Sequence, residues 1–173
     1  MNRGEILANG VLDSKALLSR YLNGFDDSNR TTQAPNLPNH LAWCLGHCAL
    51  TMHRAAEKID GHPLPDGQFI LKADRGDEHR FGTETVSFAS TPVGDPAVYP
   101  SLSRCVAIFD SACDRIALAA RMATDAKLDE RIKWGPGETT LGSLVLRMIF
   151  HNGTHCGQIT DLRRALKIGS IFA

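Results

Sequence analysis

The chain has 173 residues, 43% of them hydrophobic and 22% charged, which is enough to build one core-bearing domain and excludes a disordered or low-complexity chain. Nineteen Lys and Arg balance nineteen Asp and Glu, so no net positive field gathers nucleic acid. No run of about 20 apolar residues offers a membrane span, no apolar leader follows Met1, and the odd number of cysteines, mostly inside helical patterns, reads as reduced thiols. These features predict a soluble cytoplasmic protein without nucleic-acid or membrane partners.

Four segments carry a helical period. The first runs from about Arg3 to Leu22, with Ile6, Leu7, Val11, Leu17, Leu18 and Tyr21 on its apolar stripe, and ends before Gly24. A polar connection with Pro35 and Pro38 follows. The second helix is expected to start between Leu37 and Asn39 and to stop at Gly61, burying Leu41, Cys44, Leu45, Cys48, Met52, Ala55 and Ile59.

From His62 to Pro100 the helical period disappears. Pro63, Pro65, Pro92 and Pro96 punctuate this stretch, and only Thr85, Val86, Ser87 and Phe88 suggest a short extended piece. So long an aperiodic run predicts a functional lid or crossover. The third helix spans roughly Ser101 to Met122, and a connection containing Trp134, Gly135, Pro136 and Gly137 leads to the last helix. That helix opens at Thr139 or Thr140 and runs to Lys167 or Ile168, with Gly169 as its stop. Four amphipathic helices predict an all-α four-helix bundle, forming a single domain over residues 1–173 with a long connection between the second and third helices.

The inward stripe of the last helix reads Leu141, Leu144, Val145, Met148, His151, His155, Ile159, Leu162 and Leu166. Two imidazoles therefore replace apolar residues one turn apart, where both can aim a nitrogen at a common point. His47, in the middle of the second helix, is the preferred third ligand. Three neutral histidines leave a coordination position for water or substrate, as in catalytic zinc sites. The competing reading is a hydrogen-bonded core pair without metal. Gly153, between the histidines, weakens the helix by roughly 1 kcal/mol and points to a packing requirement.

The remaining polar residues carry weaker expectations. His53 is expected at the surface, His40 at the mouth of the site, and His62 and His79 in solvated loops. Cys44, Cys48 and Cys156 read mainly as packing thiols, with Cys44 the one placed to act as ligand or nucleophile. Gln158, Asp161, Asn152 and Asn39 are candidates to orient ligands. Arg163 and Arg164 are expected in surface ion pairs, and Trp43 and Trp134 at a helix contact or dimer surface.

The stretch LPNHLAWCLGH, with Trp43, Gly46 and His47, and the stretch HNGTHCGQITDLRRALK, with His151, His155, Gly157, Gln158 and Ile159, resemble the DinB-like, or YfiT-like, metalloenzyme family. The resemblance covers essentially the whole chain in order of elements. It implies an up-down-down-up bundle, often a homodimer, with His47, His151 and His155 holding zinc, nickel or a similar divalent ion. It also implies an activity among thiol-dependent S-transferases and maleylpyruvate isomerases that use low-molecular-weight thiols. The chain departs from the family in the length of the 61–100 connection and in Cys156. The leading expectation is a transferase in which the metal activates a low-molecular-weight thiol against a small-molecule substrate. A metal-assisted hydrolase would have to draw its base from Asp74, Asp77, Glu78 or Glu84, and a non-catalytic metal- or ligand-binding stress protein is the third possibility.

Overall fold

The computed structural model describes residues 2–171, so residues 1, 172 and 173 of the expected domain lie outside the described part. The described residues are mostly helical, with five α-helices and two small two-stranded sheets. Four long helices dominate: α1 (Arg3–Arg20), α2 (Leu41–Asp60), α3 (Leu102–Met122) and α5 (Leu141–Ala165). Helix α1 rests on α3 and α5, and α2 rests on the same two, so α2 and α5 are neighbours. Val11, Leu18, Leu45, Met52, Ile108, Ile116, Leu144, Met148 and Ile159 meet in one buried cluster.

The helix ends follow local chemistry. Asn2 and Glu5 form a reciprocal capping box on α1, each side chain accepting from the other's backbone N–H. Helix α2 opens later than the sequence suggests. Asn36 has a positive φ, Pro38 has no N–H to give, and His40 caps the helix by accepting from Trp43 N through its ring Nδ1. Gly61, at φ 74°, closes it as expected. Helix α1 stops at Arg20 and not Leu22. Helix α5 starts on its Thr140 cap and stops at Ala165, short of Lys167, which takes a left-handed turn at φ 58°.

The two connections are more structured than their sequences predict. Between α2 and α3, Phe69–Ile70 (β1) and Phe81–Gly82 (β2) pair in parallel, and Pro96–Val98 forms a 3-10 turn. Thr85–Phe88 is a turn and not an extended piece; Thr85 and Val86 are buried, whereas Phe88 is 88% exposed. Between α3 and α5, a short helix α4 (Asp125–Asp129) leads into an antiparallel hairpin, β3 (Arg131–Trp134) and β4 (Gly137–Thr140). Gly135, at φ 60°, supplies the positive backbone angle its tight turn needs. On α1, Ile6 and Leu17 stay exposed although the apolar stripe includes them.

Arginines hold the long connection. Arg30 is buried and donates to the carbonyls of Pro100, Pro96 and Tyr99. Arg104 donates to His79 O and Gly67 O, and Arg115 to Asp60, His62 O and Pro63 O. Irregular backbone presents carbonyls that no ladder satisfies, and the five-donor guanidinium answers several at once.

Candidate metal centre

His47 of α2 and His151 and His155 of α5 come together, as the sequence predicts. Four residues separate His151 from His155, about one turn, so both leave the same face of α5 toward α2. His151 Nε2 lies 3.2 Å from His47 Nε2 and 3.3 Å from His155 Nε2. An ion about 2.0–2.1 Å from each nitrogen at tetrahedral angles requires nitrogens about 3.3 Å apart; both separations from His151 meet this, and the three ligand atoms all lie within 4.8 Å of one another.

Hydrogen bonding at the opposite ring edges fixes which nitrogens are free to coordinate. His47 Nδ1 meets the Val86 carbonyl at 2.8 Å; a carbonyl only accepts, so the proton sits on Nδ1 and Nε2 presents its lone pair. His155 Nδ1 similarly donates to Gln158 Oε1 at 2.9 Å. Two lone pairs thus face the His151 ring, which in its neutral form carries a single proton and cannot satisfy both. A cation at the shared point satisfies all three, which is the chemical argument that this donor set fits a metal. His151 Nδ1 is buried without a hydrogen-bond partner among the described residues.

Burial keeps these imidazoles neutral and ready to coordinate. It lowers the pKa of His47, that of His151 to about 3 and that of His155 to about 4, and the mutual repulsion of the rings adds to the shifts of His151 and His155. Arg54 also disfavours a charge on His47, and Arg147 one on His151, which places both cations near the cluster.

The surroundings lock the rings. Trp43 stacks on His47 at 4.6 Å between centroids and 9° between planes, and its indole N–H donates to Ser90. Gly46 lets the connection approach, since a Cβ there would come within 2.7 Å of Phe81 and 2.9 Å of Val86. That close approach brings the Val86 carbonyl to His47. Gln158 itself accepts from Asn39 Nδ2 at 3.1 Å, so Asn39 and Gln158 form a relay to His155.

Several sequence expectations are corrected. His53 is 1% exposed and not at the surface: it bonds Gln68 and Arg115 and braces the connection. His40 is a buried helix cap bonded to Val93 O and does not line the mouth. Arg163 is buried and donates to Tyr21 O, Asn23 O and Gly169 O, tying α5 to the end of α1, whereas Arg164 pairs with Asp161. Asn152 points into the core, to Ser14 and Met52. A Cβ at Gly153 would meet nothing within 4 Å, so no packing requirement among the described residues explains that glycine.

The cysteines are all free and buried. Cys44 lies outside the metal cluster, and burial pushes its thiol up to about 12, so it serves neither as a ligand nor as a ready nucleophile.

His47 and His151 open onto a cavity of about 500 Å³, whose walls include Leu50, Met148, Phe88 and the Trp134–Pro136 hairpin tip. Among the described residues, no carboxylate lines it. Asp74 and Glu84 line a different cavity of about 390 Å³ that shares only Phe88 with the first. The role of the β3–β4 tip in the cavity could not be read from sequence, where Trp134 was expected at a helix contact or dimer surface.

Fold and site define a mostly helical protein with a three-histidine cluster that could hold a divalent metal at the edge of a pocket. Residues 13–159 match the DinB superfamily, and the chain belongs to that family. Its fold is similar to that of a conserved protein from Enterococcus faecalis known from a crystal structure, with a TM-score of 0.70, 14% identity and coverage of 95% of this chain and 97% of that one. No curated protein matches the sequence. No helix among the described residues is long and apolar enough to cross a membrane.

Proposed function

We propose that this protein is a divalent-metal-dependent transferase that activates a low-molecular-weight thiol on His47, His151 and His155, with zinc or nickel as the metal. The carrying observation is the convergence of three imidazole nitrogens at metal-ligand spacing beside a pocket. A bound divalent ion would supply the positive charge that holds a thiol deprotonated at neutral pH.

The chain's own residues do the rest. The Val86 carbonyl and Gln158 hold His47 and His155 in the coordinating tautomer, and Trp43 fixes the His47 plane. Leu50, Met148 and Trp134 give the pocket dry walls against which a thiolate and an electrophilic carbon can be held together. Hydrolysis is disfavoured because no Asp or Glu reaches that pocket to serve as a base. A purely metal-storing role is disfavoured because the cluster has three protein ligands, not four, and opens onto a cavity.

We further read the packing of α1, α2, α3 and α5 as a single-domain four-helix bundle over residues 1–173 in up-down-down-up order. We place the protein in the cytoplasm as a homodimer, a state that light scattering would check. The free cysteines favour a reducing compartment, and the family resemblance supports the dimer.

Elemental analysis of untagged protein beside a His47→Ala, His151→Ala variant tests the site. About one equivalent of metal, lost in the variant, is expected for three converging histidines. No metal in the wild type after reconstitution with zinc or nickel would overturn the reading.

A further inference from the structure

Most arginines in this molecule are occupied. Arg3, Arg75, Arg80, Arg115, Arg131 and Arg164 pair with carboxylates. Arg30, Arg104 and Arg163 donate to backbone carbonyls, and Arg121 donates to Asn9. Among the described residues, no hydrogen bond or ion pair engages Arg20, Arg54 or Arg147, and two of these three line the cavity that His47 and His151 border. Unpaired surface cations are common singly, but two converging on one pocket from different helices is a different observation.

Their placement follows from helix geometry. Arg54 stands seven residues beyond His47 on α2, about 10 Å along the axis, and Arg147 stands four residues before His151 on α5, about 6 Å along. Both lie in the cavity wall, so the pocket has a histidine end and a guanidinium portion. Between them the lining is apolar, with Leu50, Met148 and Trp134 contributing. The Thr51 hydroxyl is already committed to His47 O. With no carboxylate among the described residues of the wall, the two cations raise the local potential, and a metal ion on the histidines would add to it.

We propose that this pocket selects a small molecule that carries an oxyanion: Arg54 and Arg147 clamp a carboxylate or phosphate while a few apolar bonds separate that group from the end that reaches His47 and His151. The proposal rests on the metal-site reading for the reacting end and names the substrate class that site accepts. Guanidinium pairs suit this role because each presents planar, parallel donors to two oxygens of one anion. Arg54 and Arg147 are thus specificity-determining residues, and neither is required to hold the metal.

Cobalt-loaded protein provides the test, because a thiolate bound to cobalt absorbs in the near ultraviolet. Titration with 3-mercaptopropionate and with uncharged 1-thioglycerol is expected to show about tenfold tighter binding of the anionic thiol, the range of a charge-assisted contact. In the Arg54→Gln, Arg147→Gln variant the two affinities are expected to converge, and Arg54→Lys, Arg147→Lys should restore part of the preference. Equal affinities in the wild type, or a preference that survives the Gln variant, would overturn the clamp.

Cobalt content measured in the same samples separates failure of the metal site from failure of the clamp. If no cobalt binds, the metal-free protein still reports through the Trp134 indole proton resonance during titration with succinate, glycerol 2-phosphate and uncharged 1,4-butanediol. A shift with either anion that is absent with the diol and lost in the Gln variant supports the clamp, and the tighter anion identifies the oxyanion. No shift with either anion overturns it.

Discussion

Helix α5 and the connection between α2 and α3 both build the histidine cluster, but they are held in place by opposite means. Helix α5 satisfies its own backbone and needs only an apolar stripe and a Thr140 cap to find its position. The connection has two two-residue strands and one 3-10 turn, and borrows its order from side chains elsewhere: Arg30, Arg104 and Arg115 donate to its carbonyls, and His53 packs beneath Phe69. The helix supplies two of the candidate ligands, and the connection supplies the Val86 carbonyl that orients the third. Periodic structure therefore positions the donors, whereas aperiodic structure sets the tautomer of one of them.

If that contrast is right, the largest effect should come from an arginine beneath the connection. Arg30→Met removes a buried guanidinium from the carbonyls of Pro96, Tyr99 and Pro100 at once, and is expected to destabilise the protein by about 3–5 kcal/mol in urea denaturation. A loss within the ordinary surface range of about 0.5 kcal/mol would mean that the connection holds itself.

A smaller effect should come where helix and connection touch. Gly46→Ala pushes a methyl group into Phe81 and Val86, costing about 1–3 kcal/mol from overpacking. Because the Val86 carbonyl moves with it, metal affinity should fall as well, by about 10- to 100-fold, as for other lost ligand-orienting bonds. Chelator competition would measure the affinity; a stability loss with unchanged affinity would separate the packing from the orientation of His47.

The smallest effect, and of opposite sign, is expected on the open face of α5. Gly153→Ala fills empty space and should raise stability by about 0.5–1 kcal/mol through helix propensity alone. A decrease, read by thermal melting, would mean that a second copy of the chain covers that face in solution.

The long helices were legible because burial on one face imposes a three-and-four spacing, and His151 and His155 stand out by interrupting that spacing on α5. His47 could be chosen as their partner from its central place on α2 and from the family resemblance of its W-x-x-G-H stretch. Helix ends were less legible, because positive-φ turns at Asn36 and Lys167 depend on what surrounds them. Outside the cluster, His62 and His79 stand exposed in loops as expected, whereas His40 and His53 were misread. His53 lies on a face that the core alone would leave open, but the connection folds over it and buries it beside Gln68 and Arg115.

By itself, then, the sequence determined the long helices, the candidate ligands and the balanced net charge, since each rests on local periodicity, residue chemistry or summed charge. Only the tertiary structure decided that α2 lies against α5, that Val86 and Gln158 orient two rings, and that Arg54, Arg147 and Trp134 share one cavity. Apart from the Gln158–His155 contact, which lies within α5, these are contacts between segments tens of residues apart, and no local period records them. They depend on how the apolar faces of the helices pack and on where the irregular backbone settles against them.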